Sequence, residues 1–314
     1  MKDVPEIRKF DNPAVTADGS PRAQVALTRP ETIWFNTGTL CNIACTHCYI
    51  ESTPTNDALV YLTAAEVQGY LDEIAALGWP VREIGFTGGE PFMNPQMIDM
   101  ARAALAAGFE VLILTNAMQP MMRPRVREGL AALHRDFGAR LTLRISLDHF
   151  DPANHDEERG AGSFDRTIAG MEWLRDQGIA MAVAGRSLWG GTEAEVRAGF
   201  AALFARHNFN IDAQNPAQTV IFPEMDIAAE VPEITTACWG ILNKSPSDVM
   251  CATSRMVVKH RGAAAPTVAA CTLLPYDPQF DLGPTLAGAT GPVALNHPHC
   301  AKFCVLGGAS CSAA

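Results

Sequence analysis

Three cysteines lie close together in the first sixth of the chain. Cys41, Cys45 and Cys48 fall within the run CNIACTHC, directly after a predicted strand. Three thiolates can hold a cubane iron–sulfur cluster and leave its fourth iron open, and an open metal position is what a ligand-binding metal site keeps. A zinc site would need a fourth ligand, and His47, adjacent to Cys48, is poorly placed to supply it. The nine cysteines are an odd number and no secretory signal precedes them, so a disulfide framework is the weaker interpretation.

A second motif, FTGGEP, spans residues 86–91 at the end of the next predicted strand. Together the two runs resemble the radical S-adenosylmethionine (SAM) superfamily, with CNIACTHC similar to its cluster motif and GGEP to its SAM-binding motif. Gly88 and Gly89 have no Cβ, so we expect their backbone to approach a ligand closely. The resemblance implies that Glu90 and nearby carbonyls receive the methionyl ammonium. The alternative, an ordinary glycine turn, would fit GGEP if it stood alone.

The resemblance implies further SAM contacts where later strands end. Asn116 closes the third strand, and Ser146 and Asp148, which would contact the ribose, close the fourth. Arg186 closes the fifth and could pair with the methionyl carboxylate through two hydrogen bonds. Each of these could instead be a turn residue that satisfies backbone groups.

His47 and Tyr49 would line the adenine, unless they only pack beside the cluster. The resemblance also implies a chemistry. An electron from the reduced [4Fe–4S] cluster cleaves SAM, and the 5′-deoxyadenosyl radical abstracts a hydrogen atom from a substrate. The cofactor performs this chemistry, while the protein positions it and excludes water.

The elements that must position these residues alternate between strands and helices. Apolar runs predict strands at 32–36, 83–87, 110–115, 140–147, 180–185 and 219–222. Amphipathic patterns predict helices at 64–77, 95–107, 123–137, 164–177 and 193–206. Such alternation indicates parallel βαβ units, and six strands favour an open α/β fold, a partial (β/α)6 TIM-like barrel. Functional side chains then belong at the carboxyl ends of the strands.

Three regions follow from this pattern. Residues 1–30 form an N-terminal extension, 31–225 form the partial barrel, and 226–314 form a small cysteine-rich segment. The last region is rich in glycine, alanine and proline and lacks a sizeable core, so we expect a metal to stabilise it.

The C-terminal cysteines Cys251, Cys271, Cys300, Cys304 and Cys311 resemble a SPASM or twitch extension, which carries auxiliary iron–sulfur clusters. The spacing departs from a full SPASM pattern, so we expect one auxiliary [4Fe–4S] cluster, in a twitch-like segment. Its expected ligands are the first four of these, because Cys311 lies in a tail beyond two glycines. The alternatives are that Cys311 is the fourth ligand and Cys304 is free, or that one iron stays open for a substrate. A closed zinc site remains the alternative. Cys238 beside Trp239 fits a small buried hydrophobe.

Composition excludes some function classes. The net charge of -10 argues against nucleic acid as a partner, and no apolar stretch is long enough to cross a membrane. We expect a cytoplasmic oxidoreductase that takes a small-molecule or peptide substrate and an electron donor such as flavodoxin or ferredoxin. One rival is a maturase of a ribosomally made peptide, for which residues 1–30 are short as a docking module. The other is a non-catalytic iron–sulfur or zinc protein, which would have no use for GGEP.

Overall fold

The computed structural model describes residues 8–223 and 230–308. In chain order the strands are β1 (Gln24–Val25), β2 (Thr32–Asn36), β3 (Glu83–Thr87), β4 (Glu110–Thr115), β5 (Leu141–Ser146), β6 (Ala180–Arg186), β7 (Thr219–Phe222), β8 (Ser254–Val258), β9 (Thr267–Ala269) and β10 (Val293–Ala294). The α-helices are α1 (Ala64–Leu77), α2 (Met97–Ala106), α3 (Pro124–Phe137), α4 (Pro152–Arg159), α5 (Ser163–Asp176), α6 (Glu193–His207) and α7 (Cys238–Leu242).

The six predicted strands are β2 to β7, and each pairs in parallel with the next one along the chain. Alternation along β2 shows why the strands form layers. Ile33 and Phe35 pack into the apolar core shared with α1, while Trp34 belongs to a second core. The Trp34 ring lies against Gly85 of β3, where a Cβ would come within 2.3 Å of it. The fold is therefore the expected α/β partial barrel.

The five predicted helices begin and end within two residues of their predicted bounds. Local signals explain this accuracy. Thr63 and Glu66 form a capping box at the start of α1, and Gly78 ends that helix in the left-handed conformation. The sequence pattern missed the short helix α4, which follows β5 and, as described below, carries two residues of the site.

The C-terminal region adds to this sheet two strands that were not predicted. β8 pairs in parallel with β2 and β9 pairs antiparallel with β8, so the sheet has eight strands rather than six. Every residue of β8 is buried. Its Arg255 hid the strand from an apolar pattern, because the guanidinium is buried and donates to the carbonyls of Cys251, Ser254 and Ala289.

The described part of residues 1–30 packs against the C-terminal region. β1 pairs antiparallel with β10. Arg22 is 2% exposed and forms an ion pair with Glu233, whose side chain is also buried. The division at 30 and 225 stays a prediction. Within the described ranges, no helix combines the length and apolar character needed to span a membrane.

Candidate functional site

A cavity lies at the carboxyl ends of the parallel strands, and it brings together almost all of the residues predicted to bind the first cluster and SAM. Its other walls are mostly apolar. The predicted residues that line it are Cys41, Cys45, His47, Cys48, Tyr49, Gly88, Gly89, Asn116, Ser146, Asp148 and Arg186. Glu90 is the one predicted residue that does not line the cavity.

The loop that carries Cys41, Cys45 and Cys48, called the cysteine loop, follows β2. All three cysteines line the cavity. Cys41 is 5% exposed, and burial raises the pKa of its thiol to about 12. Burial also raises the pKa of Cys45, although the guanidinium of Arg159 opposes that change. These thiols therefore stay protonated until a metal displaces the proton. Among residues 8–223 and 230–308, no three side chains are grouped to hold a single metal ion. The thiolates of a cubane each bind a different iron, so its ligands lie further apart than those of one ion.

The packing of the protein's own backbone requires the two glycines of GGEP, whether or not a ligand is bound. A Cβ on Gly88 would come within 2.5 Å of the Gly38 carbonyl oxygen, and one on Gly89 within 2.3 Å of the Leu40 carbonyl oxygen. Gly88 also has a φ of +140°, which L side chains rarely adopt. Hydrogen bonds from the N–H groups of Gly89 (2.8 Å) and Glu90 (3.1 Å) reach those same two carbonyls. The glycines thus bring the end of β3 into contact with the start of the cysteine loop.

Glu90 lies behind the cavity wall rather than in it. The residue is 1% exposed, and its carboxylate accepts hydrogen bonds from Thr115 Oγ1 (2.8 and 3.0 Å), Asn116 N (2.9 Å) and Phe92 N (3.2 Å). Burial raises the pKa of Glu90 to about 7, although these donors favour the ionised form. Its side chain therefore holds the end of β4 in place, and Asn116, fixed in this way, donates to Asn42 of the cysteine loop (2.9 Å).

Asp148 is a buried carboxylate that is already paired. Arg159 at the end of α4 donates to both of its oxygens, from Nε (2.5 Å) and Nη2 (3.0 Å). Burial alone would favour the neutral acid, but this guanidinium holds the pKa of Asp148 below its usual value. The Asp148 N–H donates to His155 Nδ1 (3.2 Å), and burial lowers the pKa of His155 to about 4. Asp148 is therefore ionised and rigidly held.

A second buried carboxylate, Glu158, holds His47 and Arg186, which both line the cavity. It accepts from the backbone N–H of His47 (2.8 Å), contacts His47 Nδ1 (2.8 Å) and accepts from Arg186 Nη1 (2.7 Å). Arg186 Nη2 donates to the His47 carbonyl (3.0 Å), and the guanidinium lies 4.6 Å from the centre of the Tyr49 ring. Arg186 Nε is buried and has no hydrogen-bond partner among the described residues. Arg186 lines the cavity, so an anionic group bound there would lie beside its guanidinium.

Sequence reasoning missed Glu158 and Arg159. They stand in the run DEER, and such a charge run on a short helix is ordinarily a solvated surface. The available signal was their position just after the strand end that carries Ser146 and Asp148.

The four predicted auxiliary thiols line a second cavity. Cys251 lies in the 3₁₀ turn Met250–Ala252, Cys271 follows β9, and Cys300 and Cys304 lie on the π-helix Cys300–Leu306. Burial raises the pKa of Cys251 to about 11, and burial also raises the pKa of Cys300. Cys311 lies outside the described residues.

The rest of this second cavity is almost entirely apolar, apart from His299. Leu273 lines both cavities, so one side chain separates them. Cys238 lines neither of the two, and its sulfur accepts from the Thr235 N–H (3.4 Å).

Residues 35–188 match the model of the Radical SAM superfamily, and this range contains the cysteine loop, GGEP and the strand ends through Arg186. The chain carries a radical SAM domain. Such a domain uses a [4Fe–4S] cluster and SAM, and the residues present fit both. Three thiols come from one loop, and Arg186, which lines the same cavity, contacts that loop at the His47 carbonyl.

Two curated proteins are similar in sequence to part of this chain. The chain is 36% identical over 136 residues to the AdoMet-dependent heme synthase of Methanosarcina barkeri, which is 43% of this chain and 36% of that protein. It is 32% identical over 154 residues to the antilisterial bacteriocin subtilosin biosynthesis protein AlbA of Bacillus subtilis, which is 48% of this chain and 32% of that protein. The chain thus spans about a third of the length of these two relatives.

A solved structure resembles more of the chain. Streptococcus suis SuiB bound to S-adenosylmethionine superposes with a TM-score of 0.59 over 82% of this chain and 63% of that one, at 14% identity. At this identity the likeness concerns the fold. It extends beyond residues 35–188 and so includes elements outside the radical SAM domain.

Proposed function

We propose that this protein is a radical SAM oxidoreductase that abstracts a hydrogen atom from a small-molecule or peptide substrate. The observation that carries the proposal is the single cavity that joins the three-thiol loop, the GGEP motif and the unsatisfied Nε of Arg186. When bound, the reduced cluster supplies one electron to SAM, whose S–C5′ bond breaks to give a 5′-deoxyadenosyl radical. The cytoplasm and a flavodoxin or ferredoxin as electron donor belong to the same proposal.

The side chains of the cavity have separate tasks in this proposal. Cys41, Cys45 and Cys48 hold the cluster, and Arg186 binds the methionyl carboxylate through its free Nε–H. Asp148, although paired with Arg159, keeps oxygen lone pairs that can accept from the ribose hydroxyls. Its neighbour Ser146 lines the same wall and shares this task, while His47 and Tyr49 line the adenine. Glu90 acts indirectly, by holding the end of β4.

The remaining walls point to the part of the substrate that reacts. Apolar side chains line the same cavity as the charged groups, namely Trp34, Leu114, Ala184 and Phe222. Hydrocarbon walls exclude water and leave a reactive radical no polar partner. The reacting portion of the substrate is therefore an apolar carbon centre, in either a small molecule or a peptide side chain.

Anaerobic incubation of the reconstituted, dithionite-reduced protein with SAM tests the function directly. We expect 5′-deoxyadenosine and methionine to form in equal amounts, as measured by mass spectrometry. A protein that binds four irons at the first site and produces no 5′-deoxyadenosine would be a non-catalytic iron–sulfur protein, and the proposal would fall.

The second cavity extends the proposal to an auxiliary [4Fe–4S] cluster held by Cys251, Cys271, Cys300 and Cys304. Four thiols around one apolar cavity support a closed site. Leu273 lines both this cavity and the cavity of the three-thiol loop, named the reaction cavity, and the shared wall would let the auxiliary cluster exchange electrons with that cavity. Single alanine variants test the ligand set. We expect Cys304→Ala to lose the auxiliary cluster signal and Cys311→Ala to keep it. The reverse pattern would make Cys311 the fourth ligand.

A further inference from the structure

The C-terminal segment reaches the first thiol site through one hydroxyl group. Tyr276 lies five residues after Cys271, and its Oη donates to the carbonyl oxygen of Ile50 (2.8 Å). The Thr39 and Asn56 side chains flank the same hydroxyl. Ile50 belongs to the cysteine loop, two residues after Cys48, and lines the reaction cavity.

The backbone that Tyr276 contacts forms a tight turn around Cys48. The Glu51 N–H donates to the Cys48 carbonyl (3.2 Å), and the next N–H, that of Ser52, donates to Cys48 Sγ (3.2 Å). Glu51 adopts a φ of 53°. A residue with a Cβ pays about 1–2 kcal/mol for this left-handed conformation, so a contact must hold it there.

The Ile50 carbonyl belongs to the peptide unit that precedes Glu51. A hydrogen bond to that oxygen fixes the orientation of the unit and therefore the φ of Glu51. Rotation of the unit would move the Ser52 N–H away from the sulfur. Ser52 is 3% exposed, so few other groups can replace this contact.

We propose that Tyr276 is a positioning residue, which holds the turn at Glu51 and thereby keeps the Ser52 N–H on the sulfur of Cys48. The inference rests on the proposed function, in which Cys48 is a cluster ligand. A hydrogen bond to a ligand sulfur stabilises the more negative, reduced cluster and raises its reduction potential. The C-terminal segment, which also carries the second set of thiols, therefore sets the potential of the SAM-binding cluster.

Tyr276→Phe removes only the hydroxyl, and Tyr70→Phe is its matched control. Tyr70 on α1 also donates to a C-terminal carbonyl, that of Pro284 (2.9 Å), but it does not line the reaction cavity. The measurement is an anaerobic redox titration of the reconstituted full chain, followed by the electron paramagnetic resonance signal of the first cluster. We expect Tyr276→Phe to shift its potential to more negative values with unchanged iron content, and Tyr70→Phe to match the wild type.

Glu51→Gly provides the rescue, because glycine adopts a positive φ without a Cβ penalty. In the Tyr276→Phe background it should return the potential toward the wild-type value. Equal potentials in Tyr276→Phe and Tyr70→Phe would overturn the inference, and a shift that Glu51→Gly leaves in place would show that Tyr276 does not act through the turn. A wild-type protein that forms no first cluster would instead remove the proposed function, and the inference with it.

Discussion

The two thiol sites are built in opposite ways. Cys41, Cys45 and Cys48 come from one loop after one strand, and charged side chains surround their cavity. The C-terminal thiols come from a 3₁₀ turn, a segment after β9 and a π-helix, and their cavity is almost wholly apolar. The first site has three thiols and charged side chains in its wall, among them Arg186, whereas the second has four thiols and no charged side chain in its wall.

This difference separates a site that receives a ligand from a site that closes on itself. Buried ion pairs such as Asp148–Arg159 cost desolvation energy, and they are retained where they position something. An apolar shell with a full set of thiols needs no further partner and suits electron transfer or structural support. Under the proposed function, the first site would carry the ligand chemistry and the second would store electrons, and Leu273 lines both cavities.

The largest expected effect separates the two sites by their products. Cys45→Ala should abolish formation of 5′-deoxyadenosine, because two thiolates cannot hold a site-differentiated cluster. Cys271→Ala should retain some SAM cleavage while substrate turnover is lost. Mass detection of 5′-deoxyadenosine under reducing, anaerobic conditions measures SAM cleavage in both variants. Cys238→Ala is the control, since that thiol lines neither cavity, and cleavage by Cys45→Ala at the wild-type rate would contradict the proposed mechanism.

Metal content should divide equally between the sites. Two four-iron clusters predict about eight irons per reconstituted chain, and Cys251→Ala should lower this to about four. Iron and zinc measured together by plasma mass spectrometry give the answer. Four irons with one zinc in the wild type would make the second cavity a structural zinc site and leave the first unchanged.

The two sites also differ in how far the sequence predicts them. The first follows from local signals, namely an apolar strand, a compact cysteine run and a glycine pair at the next strand end. Its positioning residues did not follow from local signals, because Glu158 becomes buried, and Arg159 partly buried, only once α4 packs on the cysteine loop. Strand β8 did not follow from local signals either, because the carbonyls that accept from Arg255 come from residues up to 36 positions away. Local patterns predict elements, whereas the pairing of buried charges depends on tertiary contacts.

A third prediction concerns the unsatisfied donor of the first site. Arg186→Lys keeps the charge but loses the planar fork and its Nε–H. Hydrogen bonds to charged groups contribute about 1.5–3 kcal/mol, so the Kd for SAM should rise by about 10- to 100-fold. Equilibrium binding to the anaerobic holoenzyme measures this. Arg175→Lys, whose guanidinium pairs with Asp176 near the surface, should bind SAM normally, and equal Kd values for both variants would remove Arg186 from the SAM site.

The smallest effect is a difference in pH dependence. The folded pKa of Glu90 is about 7, above its ordinary value of about 4.3. Between these values the folded protein keeps a proton that the unfolded chain releases, so the free energy of unfolding falls as pH rises through that window and is level above it. The total change is at most about 4 kcal/mol, at about 1.4 kcal/mol per pKa unit.

Glu90→Gln should remove this slope, because the amide does not titrate. Leu274→Ala is the counterpart in the second cavity, where Leu274 is 6% exposed. Loss of buried apolar volume should lower stability by about 2–5 kcal/mol, and by the same amount at each pH. Anaerobic denaturant unfolding of the reconstituted proteins at about pH 5 and about pH 8 measures both differences. A slope that persists in Glu90→Gln would show that the carboxylate is ionised throughout, held by Thr115 and the two backbone N–H groups.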